Sequence, residues 1–408
     1  MCNNMTISSD IKIIAFLALL FIVWPFGAFV LCLFLLSKVR AGKDCVIFSC
    51  IFFVSMYWGL LAFTQKSLAF GDTDCITYYN RLLQFENADL CSVIERFDFL
   101  NLVNFIFYPV SAYVVAFSGN VQSVSFLWVS FTYFLTYYSI WRLLEYYNLD
   151  AKSYLSFFII AVTFCFMVFV QISELLKNAS AFALFFFGFT LFLEKGINKW
   201  SFLLFIISVG LHPSVIMLSP LYFYKLFNNK LLAIISILII PIAMAINIFD
   251  VILNYIPGGA YFSLLSDRFS SDFEQSGSIH YVLKILILEV LALWLLLRTW
   301  GCGNKICNIV FLYIIIASFN YVNLTAYVRF ALFSHYLFAL LLIQFVLLGK
   351  RRFDLVVKSC VMLMLLLTFR FSLGRITPGG YTSSYMNNSL TEIVFSTSFD
   401  YLNVDFEK

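Results

Sequence analysis

Residues 200–227 read WSFLLFIISVGLHPSVIMLSPLYFYKLF, and what this run does in a bilayer sets the topology of everything after it. Apart from a few hydroxyls, its polar content is His212 and Lys225. Two full crossings as α-helix need about 40 residues, because a ~30 Å hydrocarbon core takes about 20 residues at a rise of 1.5 Å. The run is too short for that. At its centre stands His212-Pro213-Ser214. Proline removes a helical hydrogen bond and disfavours helix at the residue before it. The stretch reads either as two half-helices meeting at a polar break or as one kinked helix.

Similar apolar stretches run along the whole chain, at 11–36, 45–63, 121–141, 153–172, 175–193, 200–212, 214–227, 231–249, 281–297, 306–322, 330–348 and 355–371. Of 408 residues, 62% are hydrophobic and 12% charged; a soluble domain carries about a quarter charged residues. That composition excludes a soluble globular protein. Lipid leaves no water to satisfy backbone groups, so the spans must be helical. The reading is an all-α, polytopic helical membrane protein with about 11–12 transmembrane segments and a broken or re-entrant helix pair near 200–227.

Lysine and arginine in short loops mark the cytoplasmic side, and one alternation fits throughout. Its inner loops carry Lys38, Arg40 and Lys43; Arg142 and Lys152; Lys195 and Lys199; Lys225 and Lys230; Arg298 and Lys305; and Lys350, Arg351 and Arg352. This puts both termini outside and requires a reversal within 200–227. The single kinked helix instead leaves Lys225 and Lys230 outside. A break there is acceptable only where protein or water surrounds it, so it is expected to line a cavity. Met1 to Asp10 lacks the basic region of a cleaved signal peptide, and the first apolar run reads as a retained span. The organisation expected is one integral membrane domain over 1–408, with long periplasmic loops near 64–120 and 250–280 and a periplasmic tail at 372–408. Residues 99–117, interrupted by Asn101, Asn104 and Pro109, read as an interfacial or re-entrant helix.

The net charge of +4 is scattered rather than patched, which gives no footprint for nucleic acid. No Gly-rich phosphate loop ending in Lys-Ser or Lys-Thr, no HExxH and no GxSxG elbow occurs. Three histidines far apart in sequence predict no metal site, and no cofactor is expected. Cys75 and Cys91 share the first long loop, and either a disulfide or two thiols fits an oxidising compartment.

What remains is a set of polar groups at the outer helix ends. Gly71-Asp72-Thr73-Asp74 is followed by Tyr78, Tyr79 and Arg81. Glu174 and Lys177 lie one helical turn apart, His212 and Ser214 flank the break, and Arg268 sits in the second long loop. Arg329 follows Asn320 and Asn323, with His335 two turns further on. Each has a plainer reading: Asp72 and Asp74 as solvated loop acids, Glu174 with Lys177 as a structural ion pair, His212 as a satisfied core residue. Arg329 is the stronger candidate, because ionisable groups near a membrane usually face a bundle interior or a ligand path. Together these groups suit an anionic, polyhydroxylated ligand. Guanidinium binds phosphate oxygens in pairs, and carboxylate or imidazole can orient or deprotonate a sugar hydroxyl.

The Gly-Asp-Thr-Asp-x3-Tyr stretch at 71–78, Leu-Lys-Asn-Ala-Ser-Ala at 176–181, His212-Pro213-Ser214 and Arg329 opening a late span occur in an order that resembles the EpsG-like and Wzy-type polysaccharide polymerases, which include bacterial O-antigen polymerases. The likeness covers roughly 65–345. It departs at Lys177-Asn178, where the family usually has Arg then Gln. The resemblance implies a GT-C-like glycosyltransferase of the bacterial inner membrane that joins undecaprenyl-diphosphate-linked oligosaccharide repeat units on the periplasmic side. The lipid diphosphate is already an activated leaving group, so neither a nucleotide sugar nor a redox cofactor is implied. Asp72, Asp74, His212 and Arg329 would then be catalytic, with Arg81, Glu174, Lys177, Ser214, Arg268 and His335 binding substrate. The partners implied are the lipid-linked oligosaccharide, the bilayer, a flippase and a chain-length regulator. A flippase or other transporter of the same lipid-linked units is a second class, as is an O-antigen ligase. Transporters tend to show internal repeats and midplane binding groups, and the sequence shows neither.

Overall fold

The computed structural model describes residues 2–38, 43–65, 74–91, 93, 105–149, 151–163, 167, 169–245, 279–299, 304–320, 324–348, 374–377, 380–383 and 394–402. They divide into two compact units, Met1–Pro213 with Leu355–Lys408, and Ser214–Asp354. The first unit holds α1 (Cys2–Val23), α2 (Pro25–Leu36), α3 (Asp44–Phe63) and α4 (Asp74–Leu82), the last continued by a 3-10 turn at Leu83–Phe85. It goes on through α5 (Phe107–Ser118), α6 (Ser123–Tyr146), α7 (Ala151–Ala161), α8 (Phe169–Glu174), α9 (Leu176–Lys195) and α10 (Lys199–Leu211). The second opens with a 3-10 helix, Pro213–Leu226, followed by α11 (Asn229–Ala245), α12 (Ile279–Arg298), α13 (Lys305–Phe319), α14 (Leu324–Ala331) and α15 (Ser334–Leu348). The chain then returns to the first unit with an antiparallel hairpin, β1 (Gly374–Thr377) and β2 (Gly380–Ser383), and α16 (Ser398–Leu402).

Three described helical stretches are long and apolar enough to cross a membrane: Asp44–Phe63, Leu176–Lys195 and Arg329–Leu348. Several expected spans are instead interrupted. Residues 153–172 divide into α7 and α8. The apolar run 355–371 and most of the loop 250–280 lie outside the described residues.

The first stretch, 11–36, also departs from a single span, and the cause is Trp24-Pro25. Trp24 leaves helical geometry at φ −151° and ψ 81°, and Pro25 opens α2 where its missing N–H costs nothing. The ring of Trp24 lies where a side chain at Gly27 would have to go, so the break needs a glycine there. Its Nε1 donates to Val394 O (2.6 Å), and Ser398 Oγ donates to Phe21 O (2.7 Å), which fastens the C-terminal segment to the turn. Beyond α2, Lys43 Nζ donates to Asp10 Oδ1 at 2.8 Å. A straight helix from Asp10 to Leu36 would part its ends by about 39 Å. The chain from Leu36 to Lys43 reaches only about 25 Å. So α1 and α2 double back, and Asp10 in the first half of α1 lies beside the start of α3, not across a membrane from it. The expectation that the N-terminus and the 38–43 loop occupy opposite faces is corrected on this point.

The core of the first unit is α3 against α6, with α9 on α6 and α10 on α9. Gly59 allows the first contact: a Cβ there would collide with Ser130 and with the Phe126 carbonyl. Basic-loop residues gather at one end. Arg142 makes a two-pronged pair with Glu194, one arm being Nε to Oε1 at 3.0 Å. Burial and the nearby Asp44 push the Glu145 carboxyl above its usual range, with Arg142 opposing. Loops that the charge alternation assigns to one face therefore do meet.

The second unit shows the same agreement. Asn308 Nδ2 donates to Tyr224 O (2.9 Å) and Phe227 O (2.8 Å), Asn229 Nδ2 to Asn304 O (2.9 Å), and Asn304 Nδ2 to Gln344 Oε1 (3.1 Å). These bonds join the chain around Lys225, Lys230 and Lys305 near the end of α15. The proline break is present too: α10 ends at Leu211 and His212 is extended (φ −153°, ψ 119°). The segment beyond it is not an α half-helix. The 14 residues of Pro213–Leu226 are 3-10, which at about 2.0 Å per residue span about 28 Å, close to a hydrocarbon core. The length argument against a crossing holds only for α geometry.

Candidate functional site

At the end of the first unit opposite Arg142 and Glu194, α3 finishes, α6 begins, and α4 and α5 lie against them. Helix α4 buries Cys75, Tyr78, Tyr79 and Leu82, a spacing that makes one continuous stripe. Asp74 opens it and Arg81 closes it, each at the end where the helix dipole favours its charge. The buried stripe is polar at its centre. Tyr79 OH meets Ser125 Oγ in a short hydrogen bond, and Cys75 Sγ lies 3.7 Å from Ser125 Oγ and 3.8 Å from Gln65 Oε1. Burial pushes the Cys75 thiol up to about 12, with hydrogen bonds from Ser125 and Tyr79 opposing, and Glu174 and Asp74 adding to the rise. Cys75 and Cys91 are both free thiols; no disulfide joins them.

The charged groups line the edge of that stripe, on either side of Tyr78. Tyr78 OH donates to Asp74 Oδ2 at 3.4 Å, one turn away. Lys177 Nζ sits 4.8 Å from the Tyr78 ring centroid and 5.3 Å from that of Tyr108. Arg81 Nη1 donates to Tyr108 OH at 3.1 Å, with its Cζ 5.7 Å from the same ring. Cation and ring face attract through the ring quadrupole. A continuous series of contacts thus runs Asp74, Tyr78, Lys177, Tyr108, Arg81. Burial raises the Tyr108 hydroxyl above its usual range while Arg81 lowers it.

Helix junctions explain the placement. α8 ends at Glu174, which is buried, and Leu175 breaks the chain (φ −101°, ψ 47°) before α9 starts at Leu176. Lys177 therefore stands in the first turn of a new helix, not one turn along the same one as Glu174. Tyr108 stands in the first turn of α5, directly before Pro109, where a missing N–H is tolerated. Ile106 N donates to Gly210 O at 3.3 Å. That bond brings the end of α10, and His212 just past it, beside the start of α5.

Of the residues expected from sequence, Asp74, Arg81, Glu174, Lys177 and His212 are thus gathered at one end of the first unit. Asp72 and Arg268 fall outside the described residues. Ser214, Arg329 and His335 belong to the second unit. There, Arg329 is half-buried near the end of α14, whose Phe330 carbonyl accepts from Tyr313 OH at 2.7 Å. His335 does not lie two turns along the same helix, because Leu332 and Phe333 form a turn between α14 and α15. Its ring is 1% exposed and 3.9 Å from that of Tyr336. Sequence reasoning named Tyr78 only as part of a motif and missed Tyr108. The signal for Tyr108 was Phe-Tyr-Pro at 107–109, where the proline marks a helix start rather than an interruption. Among the described residues, no group of three or more His, Cys, Asp or Glu side chains is placed to hold a metal.

These features define a helical membrane protein bearing a cluster of cations, tyrosines and carboxylates at one end of a unit. The chain belongs to the EpsG family, whose model matches residues 51–385. Membership suggests a polysaccharide-polymerase-like role in a membrane-associated protein. No curated protein and no solved structure matches the chain.

Proposed function

We propose that this protein is a glycosyltransferase of the bacterial inner membrane that polymerises undecaprenyl-diphosphate-linked oligosaccharide repeat units, of the O-antigen kind, on the periplasmic side. The observation that carries the reading is the series from Asp74 to Arg81, in which two cations and a carboxylate are held side by side by tyrosine rings. Lys177 also lies in the first turn of the 20-residue helix α9, so its charge adds to the positive end of a helix dipole. Both favour an anion such as the diphosphate of a lipid carrier.

The chemistry follows from that donor. A hydroxyl oxygen of the acceptor unit bonds to the anomeric carbon of the growing glycan as the bond from that carbon to the diphosphate oxygen breaks. The hydroxyl proton passes to a carboxylate or imidazole, for which Asp72, Asp74 and His212 are the assigned groups. The diphosphate leaves on its lipid, with Lys177 and Arg81 balancing its charge. The family resemblance adds Arg329 and Arg268 as further groups for the diphosphate, with Glu174, Ser214 and His335 binding substrate. A flippase that delivers the units and a chain-length regulator are the partners the family resemblance implies.

Deleting the gene and resolving the surface glycan by gel tests the reading. A polymerase defect leaves single-repeat caps. Loss of all repeats points to a flippase or ligase, and an unchanged ladder rejects all three.

A further inference from the structure

Tyr108 touches both cations of the cluster, and neither the motif order nor the family resemblance assigns it anything. Its ring centroid lies 5.3 Å from Lys177 Nζ and 5.7 Å from Arg81 Cζ, and its hydroxyl accepts from Arg81 Nη1 at 3.1 Å. Two cations held on one ring stand no more than about 11 Å apart. A bridged pair of phosphates, with a charge-assisted hydrogen bond of about 2.8 Å at either end, spans a gap of that order.

The nature of the tether matters. A carboxylate between Lys177 and Arg81 would also hold them, but it would cancel charge that an anionic ligand needs. A tyrosine holds them with a ring quadrupole and a neutral hydroxyl acceptor and adds no negative charge of its own between them. The tyrosine itself is anchored. Its neighbour Phe107 is fully buried, with ring centroids 5.1 Å from Trp128 and 5.3 Å from Tyr78. Trp128 Nε1 in turn donates to Ser111 Oγ at 2.8 Å, on the next turn of the helix that carries Tyr108.

We propose that Tyr108 is a positioning residue, whose ring and hydroxyl set the separation of Lys177 and Arg81 for a diphosphate-type anion. The proposal rests on the reading of this cluster as the lipid-diphosphate site and names what fixes its spacing.

The test is binding of farnesyl diphosphate to the full-length purified protein, with farnesol as the phosphate-free control and thermal unfolding of each variant measured alongside. Tyr108→Phe keeps the ring and Lys177 contact but removes the acceptor for Arg81. It is expected to weaken diphosphate binding about fivefold, with farnesol binding and the melting temperature held. Tyr108→Leu removes ring and hydroxyl and is expected to lose about tenfold or more. Tyr108→Phe binding as tightly as wild type overturns the proposal, whatever Tyr108→Leu does. If farnesyl diphosphate binds wild type no better than farnesol, or binds an Arg81→Gln, Lys177→Gln double variant as well as wild type, the anion reading of the cluster falls and Tyr108 with it. A weakened Tyr108→Phe beside an inert double variant supports both.

Discussion

Two places in this protein gather or bury ionisable groups, and they differ in how those groups are satisfied. In the first unit, Tyr78, Lys177, Tyr108 and Arg81 contact one another in series, and Cys75 is placed among Ser125, Tyr79 and Gln65. In the second, His335 is as buried as any core residue, yet neither of its ring nitrogens has a hydrogen-bond partner among the described residues. Burying an imidazole without partners costs about 1–3 kcal/mol. Buried polar groups in folded proteins are nearly always satisfied. The contrast separates a site assembled by its own neighbours from a group kept in place at a cost, and it says where to look for effects on binding and where for effects on stability.

The largest effect is expected from Arg329. Charge stabilisation of a leaving group is usually a major part of the barrier, so Arg329→Ala should lower polymerisation by on the order of a hundredfold. The measurement is the surface-glycan ladder in cells whose membranes contain normal amounts of the variant. A full-length ladder would take Arg329 out of the reaction and leave the first unit as the seat of the chemistry.

Lys177 comes next. Lys177→Ala removes one of two cations held on Tyr108 and should cost about tenfold. Lys177→Arg restores a cation and a ring-stacking group and should stay within about threefold of wild type. If arginine were as poor as alanine, the ammonium would be needed for something other than charge. For His335 the expectation reverses: His335→Met exchanges a ring with no hydrogen-bond partner among the described residues for an apolar side chain, and stability should hold or rise, by about 1 kcal/mol. A marked fall in stability would mean that the imidazole is satisfied after all, and the contrast between the two units would disappear.

How much of this was legible beforehand depends on the physical origin of each feature. Composition and run length were enough for a helical membrane protein, because apolar runs of this length satisfy their own backbone groups in lipid as helices; the short hairpin at 374–383 gave no such signal. Basic-loop alternation anticipated which loops meet: Arg142 with Glu194 joins two of them in the first unit, and Asn229 with Asn304 joins two in the second. The reversal at Trp24-Pro25 was missed because Pro25 marks a helix start but not the angle at which the chain turns; the packing of α1 on α2 and α3 and the Asp10–Lys43 contact reveal it. The 3-10 geometry of Pro213–Leu226 was equally hidden, since Pro213 marks a break but not the pitch of the helix it opens. Within the site, charged residues stood out in an apolar chain, so Asp74, Arg81, Glu174 and Lys177 were visible. Tyr108 was not, because one aromatic among 50 Phe and 23 Tyr carries no compositional signal. Phe-Tyr-Pro marks its place at a helix start, and its contacts with Lys177 and Arg81 give it a role.

Cys75 gives the smallest effect and the cleanest probe of the well-partnered side of the comparison. Its thiol, pushed up to about 12 by burial, stays protonated at any pH where the protein is handled. In the unfolded chain it ionises near 8.5. The folded state thus binds the extra proton between those two values, so this group's contribution to stability is fully present below about pH 8.5 and is lost as pH rises towards 12. Thiolate is the reactive form, so the native protein should show no maleimide labelling at Cys75 at either pH 7 or pH 9. Cys91, exposed and free, should label at both, and Cys75 should join it once the protein is denatured. Labelling of native Cys75 would mean that water reaches the Ser125–Tyr79 network. The packing of α4 on the start of α6 would then be loose beneath the cluster, and the spacing of Lys177 and Arg81 would not be fixed.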